Sequence, residues 1–146
     1  MKLKKILVPL DGGGADEEAL VLAFELAKKS KADVYAVYVI EVNRNLPVDA
    51  MIQSDIEKAE NILSHAEDIA SEHHYHVETD LIQSREVGAA IVNEAKEKKA
   101  NLIIMGLNYK RRFGHFSLGN AIPYVLEEAP CRVILLREFE SAKEQI

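Results

Sequence analysis

Five short runs rich in Val, Ile and Leu alternate with longer segments whose apolar residues recur every three or four positions. That alternation constrains the fold more than any other feature of the chain. The predicted strands are Lys5–Pro9, Val34–Ile40, Val77–Gln83, Leu102–Gly106 and Arg132–Arg137. Most are near-continuous aliphatic segments, the pattern of parallel strands covered on both faces. Leu20, Ala23, Phe24 and Ala27 make one helical stripe, and Ile52, Ile56, Ala59, Leu63, Ala66 and Ala70 a second. Val87, Ile91 and Ala95 mark a third helix, and Ala121 to Ala129 a fourth, with Pro123 tolerated only near its start. Alternating strands and helices require crossover connections. The predicted class is therefore α/β, a single doubly wound five-stranded parallel sheet with helices on both faces.

A chain of 146 residues, 48% hydrophobic, suits one domain over residues 1–146. Residues 41–50, with Asn43, Asn45 and Pro47, read as a loop between the second strand and second helix, and residues 138–146 as a charged tail. With 18 basic and 24 acidic side chains the net charge is −6, which argues against non-specific binding to nucleic acid. One cysteine excludes an internal disulfide. Cys131 is expected to be a small buried strand residue. The apolar run from Ile6 to Leu10 is short for a signal-peptide core, and no segment reaches membrane-spanning length, so a cytoplasmic protein without membrane insertion is expected.

In a doubly wound sheet, ligands sit beyond the carboxyl ends of the strands, where the strand order reverses. Two segments fall there. The first, after strand one, is Pro9-Leu10-Asp11-Gly12-Gly13-Gly14. Its glycines permit close backbone approach or positive φ. Asp11 suits either a ribose or base contact or the capping of a tight turn. The second runs from Gly106 to Asn120 and opens into the fourth helix. Lys110, Arg111 and Arg112 make a local positive patch, and Gly119 precedes a helix start whose N–H groups and dipole favour an anion. The alternative is a solvated basic loop ending in a glycine turn.

Several enzyme signatures fail on inspection. Gly114 and Gly119 have phosphate-loop spacing, but Asn120 and Ala121 stand where Lys and Ser/Thr are required. Ser117 lies three residues after Gly114, one too many for a nucleophile elbow. The glycines before Asp16 lack both serines of an adenylating enzyme's loop, and no general acid faces a general base, so no catalytic residue is assigned. Asp16, Glu17, Glu18, Glu127 and Glu128 read as helix-surface charges. His73, His74 and His76 lack i, i+4 spacing and fit a helix C-terminus better than a metal site.

The segment Lys5-Ile6-Leu7-Val8-Pro9-Leu10-Asp11 and the block from Ile103-Ile104-Met105-Gly106 to Ala129-Pro130-Cys131-Arg132-Val133 closely resemble universal stress proteins. The resemblance extends over nearly the whole chain and implies a Rossmann-like, adenine-nucleotide alpha-hydrolase-like fold. ATP-binding members of that family carry Gly-x2-Gly-x9-Gly-[Ser/Thr] after strand four. Gly106 and Gly119 match the first and third positions, whereas Tyr109 and Asn120 occupy the second and fourth. The resemblance implies that Asp11 meets ribose or adenine alongside Pro9 and Leu10, and that adenine lies near the Val39 backbone. It further implies that Met105 and Gly106 lie along the nucleotide, and that Gly119, Asn120 and Ala121 offer N–H groups to phosphate. Tyr109 would fill space that glycine leaves open, making AMP or ADP competitors to ATP, with or without Mg²⁺. Asn120 is expected to cap the helix, while Lys110, Arg111 or Arg112 could replace lost phosphate contacts. The family's Gly-x-Pro before helix three reads Ser84-Arg85-Glu86 here.

The same resemblance implies a regulatory stress-response module. A homodimer would form through the last strand, Val133–Leu136, where an apolar sheet edge needs cover. A nucleotide-independent alternative has the basic loop 110–112 docking an acidic regulatory partner, for instance on a transporter.

Overall fold

The computed structural model describes residues 2–108 and 119–139. Tyr109, Lys110, Arg111 and Arg112 therefore lie outside the described residues, and so does the docking expectation that rests on them.

The order is β1 (Lys5–Leu10), α1 (Ala15–Ser30), β2 (Asp33–Glu41), α2 (Gln53–Glu72), β3 (Val77–Ser84), α3 (Val87–Lys98), β4 (Leu102–Leu107), α4 (Ala121–Glu128) and β5 (Arg132–Arg137). All four strand pairings are parallel, in the spatial order β3-β2-β1-β4-β5. Predicted and observed strand ends differ by at most one residue.

Strand alternation divides the core into two layers. Ile6, Val8, Val34, Ala36, Leu102 and Ile104 face α1 and α2, where Phe24 is the largest buried side chain. Leu7, Val37, Val39, Ile103 and Met105 face α3 and α4, and pack on Ile91, Ala95 and Val125. Each central strand thus buries both faces, which is why its sequence lacks polar alternation.

Helix ends account for the small boundary differences. Ile52 precedes α2 as an extended N-cap and stays substantially exposed, so the second stripe begins inside the helix at Ile56. α4 ends at Glu128 because Ala129 turns extended ahead of Pro130. Lys31 and Lys99 take left-handed conformations after α1 and α3, and Ala32 and Ala100 then donate back to Ala27 and Ala95. Cys131 departs from the expectation. It precedes β5 and is only half-buried, because β5 is an edge strand with cover on one flank.

Candidate functional site

β1 and β4 lie side by side at the middle of the sheet. β1 continues into α1 on one face, whereas β4 leads toward α4 on the other. The two connections diverge and leave a crevice beyond the strand ends. A cavity of ≈ 180 Å³ opens there. Pro9, Leu10 and Asp11 form one wall, and Met105 and Gly106 another. The start of α4 contributes Gly119, Asn120, Ala121 and Ile122, while Val87 and Ile91 close the cavity from α3.

Eight of the residues singled out from sequence therefore converge. Val39 is the exception among those described. It is buried on the α3 side of β2, in the same apolar cluster as Ile91 and Met105, but does not line the cavity.

The first loop is held by the turn cap expected of Asp11 and by contacts of Asn108 that the sequence did not suggest. Asp11 Oδ1 accepts the Gly13 N–H at 2.7 Å, and its Oδ2 accepts the Asn108 amide at 2.8 Å. Asn108, immediately beyond β4, also accepts the Ala15 N–H through Oδ1 at 3.0 Å. The first free amide of α1 is thus capped from across the sheet by Asn108, and not by Asp11. A carboxylate offers about four acceptor sites, so beyond these two bonds and the neighbouring Asp16 carboxyl Asp11 can still accept a ligand hydroxyl. The only signal for Asn108 was an amide side chain two residues past Gly106, at a strand's carboxyl end.

Close packing explains Gly106. A Cβ at that position would stand 2.6 Å from the Ala15 carbonyl oxygen, so α1 can approach β4 only over a glycine. Gly119 has a different constraint: its φ is +71°, a left-handed turn into α4. Asn120 occupies the N-cap of α4 but makes no side-chain cap bond, contrary to expectation, because its backbone is already helical (φ −97°, ψ −32°). The first-turn amides of α4 have no intrahelical acceptors, and Pro123 supplies no N–H at all.

Asp16 is also not a plain surface charge. It is half-buried and turns back over the loop, accepting the N–H groups of Asp11 at 3.1 Å and Gly12 at 2.8 Å. Burial, followed by the charge of the neighbouring Asp11, pushes its carboxyl up to about 7, against the lowering effect of the two amides. Glu17, Glu18, Glu127 and Glu128 are exposed, as expected.

A second cavity of ≈ 520 Å³ shares Val87, Asn120 and Ala121 with the first. It extends over the start of α3 between Glu41, Arg44, Arg85, Glu86 and Tyr124. The Ser84-Arg85-Glu86 segment thus places charged side chains beside the crevice. Arg85 donates to the Asn43 carbonyl, and Arg44 pairs with Glu86 at 3.8 Å. His73 caps the C-terminus of α2 and packs its ring 6.2 Å from Phe24, with His74 and His76 in the turn before β3. Among the described residues, no helix is long and apolar enough to cross a membrane.

These features define a Rossmann-like α/β domain with a ligand crevice at its topological switch point. The universal stress protein family profile matches residues 2–137, and the chain belongs to that family. A universal stress protein of Methanocaldococcus jannaschii is 30% identical over 141 residues, covering 92% of this chain and 82% of the relative. The structure of a universal stress protein from Archaeoglobus fulgidus superposes with a TM-score of 0.72 at 25% identity, over 90% of this chain and 92% of that one. A further Archaeoglobus fulgidus universal stress protein, in complex with dAMP, gives a TM-score of 0.73 at 24% identity, over 92% and 98% of the two chains.

Proposed function

We propose that the crevice binds an adenine nucleotide and that binding serves a regulatory role in the stress response, with no catalytic step of its own. The carrying observation is the convergence of Asp11, Gly106 and the start of α4 on one cavity at the switch point. Asp11 accepts a ribose hydroxyl on its spare lone pairs. Met105 and Pro9 supply an apolar wall for the sugar and base, and the first-turn amides of α4 meet phosphate. The dAMP in the Archaeoglobus relative supports a nucleoside monophosphate as the first ligand to try. ADP and ATP, with or without Mg²⁺, are longer alternatives at the same helix start. Lys110 and Arg112 remain proposed phosphate contacts, with Tyr109 beside them.

The test is thermal and chemical denaturation with AMP, ADP and ATP, each with and without Mg²⁺. Ligand at about 100 times its Kd should stabilise the fold by about 2.7 kcal/mol. No stabilisation by any of them at millimolar concentration overturns the reading.

A homodimer through β5 is the accompanying proposal. Val133, Ile134, Leu135 and Leu136 are all half-buried on an edge strand, and Leu126 of α4 and Phe139, two residues past β5, are exposed. A second copy pairing along that edge would cover both its backbone groups and its side chains.

A further inference from the structure

The apolar stripe of α3 is interrupted by a carboxyl group. Val87, Ile91, Glu94 and Lys98 follow one another at steps of four, three and four, so all four point the same way along the helix. Glu94 is 6% exposed, and is the one charged side chain buried to that degree among the described residues. Asp80 of β3 lines the same groove and acts on the Glu94 carboxyl, and two carboxyl groups can share a hydrogen bond only when one of them carries a proton. Asp80 also takes the Lys98 ammonium at 3.3 Å, and that ammonium lies 5.2 Å from the centre of the Tyr35 ring on β2. A groove of ≈ 500 Å³ runs beside the cluster between β3 and α3 and gives water access to it.

We propose that Glu94 and Asp80 form a proton-dependent latch that fastens α3 to the sheet and thereby sets the wall of the switch-point cavity. With the shared proton in place, Glu94 donates to Asp80 and the pair carries one negative charge, balanced by Lys98. Loss of that proton leaves two carboxylates in contact with only one ammonium between them. The nearby groups do not relieve the repulsion. Glu97 on α3 adds to it. Glu78 on β3 adds negative charge around Tyr35. β1 meets α3 through apolar Leu7, and α4 through the Tyr124 ring against Gly88. Burial, then the Asp80 hydrogen bond and charge, hold Glu94 at about 7, so the switch falls in the neutral range. One and two turns up the helix, the same face presents Ile91 and Val87 to the cavity. Release of α3 above neutral pH therefore loosens that wall.

The latch is read by hydrogen exchange of the ligand-free protein at pH 6 and pH 8, corrected for the intrinsic pH dependence of exchange. A carboxyl titrating near 7 when docked and near its ordinary value when released raises the opening constant of α3 by about tenfold over that interval. Glu94→Gln keeps the hydrogen-bond donor and should abolish the rise. Asp80→Asn removes the facing charge and should shift the transition to lower pH. An equal rise in Glu94→Gln, or none in the native protein, overturns the proposal. The consequence for the cavity rests on the nucleotide reading and fails separately. AMP affinity should fall further from pH 6 to pH 8 in the native protein than in Glu94→Gln, which keeps the Asp16 titration beside Asp11 but not that of Glu94. Absence of AMP binding at both values removes the nucleotide reading and leaves the exchange result to decide the latch.

Discussion

Asn108 donates its amide to Asp11 at 2.8 Å, joining the ends of β1 and β4 across the seam where the sheet's connections diverge. The same side chain caps α1 through Ala15, so one residue sets both the position of the candidate ribose acceptor and the start of the first helix. Asn108→Ala should lower stability by about 1–2 kcal/mol, the usual cost of a lost cap together with a lost hydrogen bond. Urea denaturation measures it. A change within 0.3 kcal/mol would show that water replaces Asn108 at little cost.

Substitution at Gly106 tests the contact between β4 and α1. Gly106→Ala forces a Cβ against the Ala15 carbonyl, and neither backbone can yield without moving a packed element. The expected loss is about 1–3 kcal/mol, as for other overpacked sites. A Cβ in Gly119→Ala meets nothing within 4 Å among the described residues but must hold φ near +71°, so a smaller loss of about 1 kcal/mol is expected. The ranking of the two, read from denaturation midpoints, is the check.

Asp16 should titrate near pH 7 in a carboxyl-detected NMR experiment. Because folding raises this acid, its contribution to stability is fully present below its unfolded value near 3.8 and is lost as pH rises toward 7. Asp11→Asn removes the neighbouring charge and should lower the midpoint. A native midpoint below 5 would refute the assignment.

Asp11→Ala should weaken AMP binding by about tenfold or more, the scale of one hydrogen bond to a charged acceptor. The same change frees Gly13 and Asn108, so stability must be measured in parallel. Undiminished affinity in a folded Asp11→Ala protein would remove Asp11 from the site.

Leu136→Lys places a charge on the β5 edge, where strand pairing between copies would bury it. Sedimentation should show monomers for the variant and dimers for the native chain. Dimers in both would move the interface elsewhere.

Most of the architecture was legible in the sequence because its signals are local. Aliphatic runs such as Leu102–Met105 and stripes such as Leu20-Ala23-Phe24-Ala27 report burial directly, since side-chain direction follows from backbone period alone. The switch point was equally legible, because alternating elements and right-handed crossovers leave few arrangements. Asn108, Asp16 and Glu94 were not. Each looks like an ordinary polar residue until its partner, distant in sequence or folded back from the next turn, is placed beside it. Asn108 meets Asp11 and Ala15 from more than ninety positions away. Glu94 looks like a surface residue on α3 until packing on the sheet buries it in a groove shared with Asp80 of β3.

The sequence alone thus determined an acidic, doubly wound α/β domain of the universal stress protein family, with two glycine-bearing loops at its switch point. Tertiary structure decided which side chains those loops engage, which carboxyl groups lie out of water, and which residues wall the cavity. Periodicity specifies the face a residue occupies, whereas hydrogen bonds and desolvation depend on what the opposing element brings to that face.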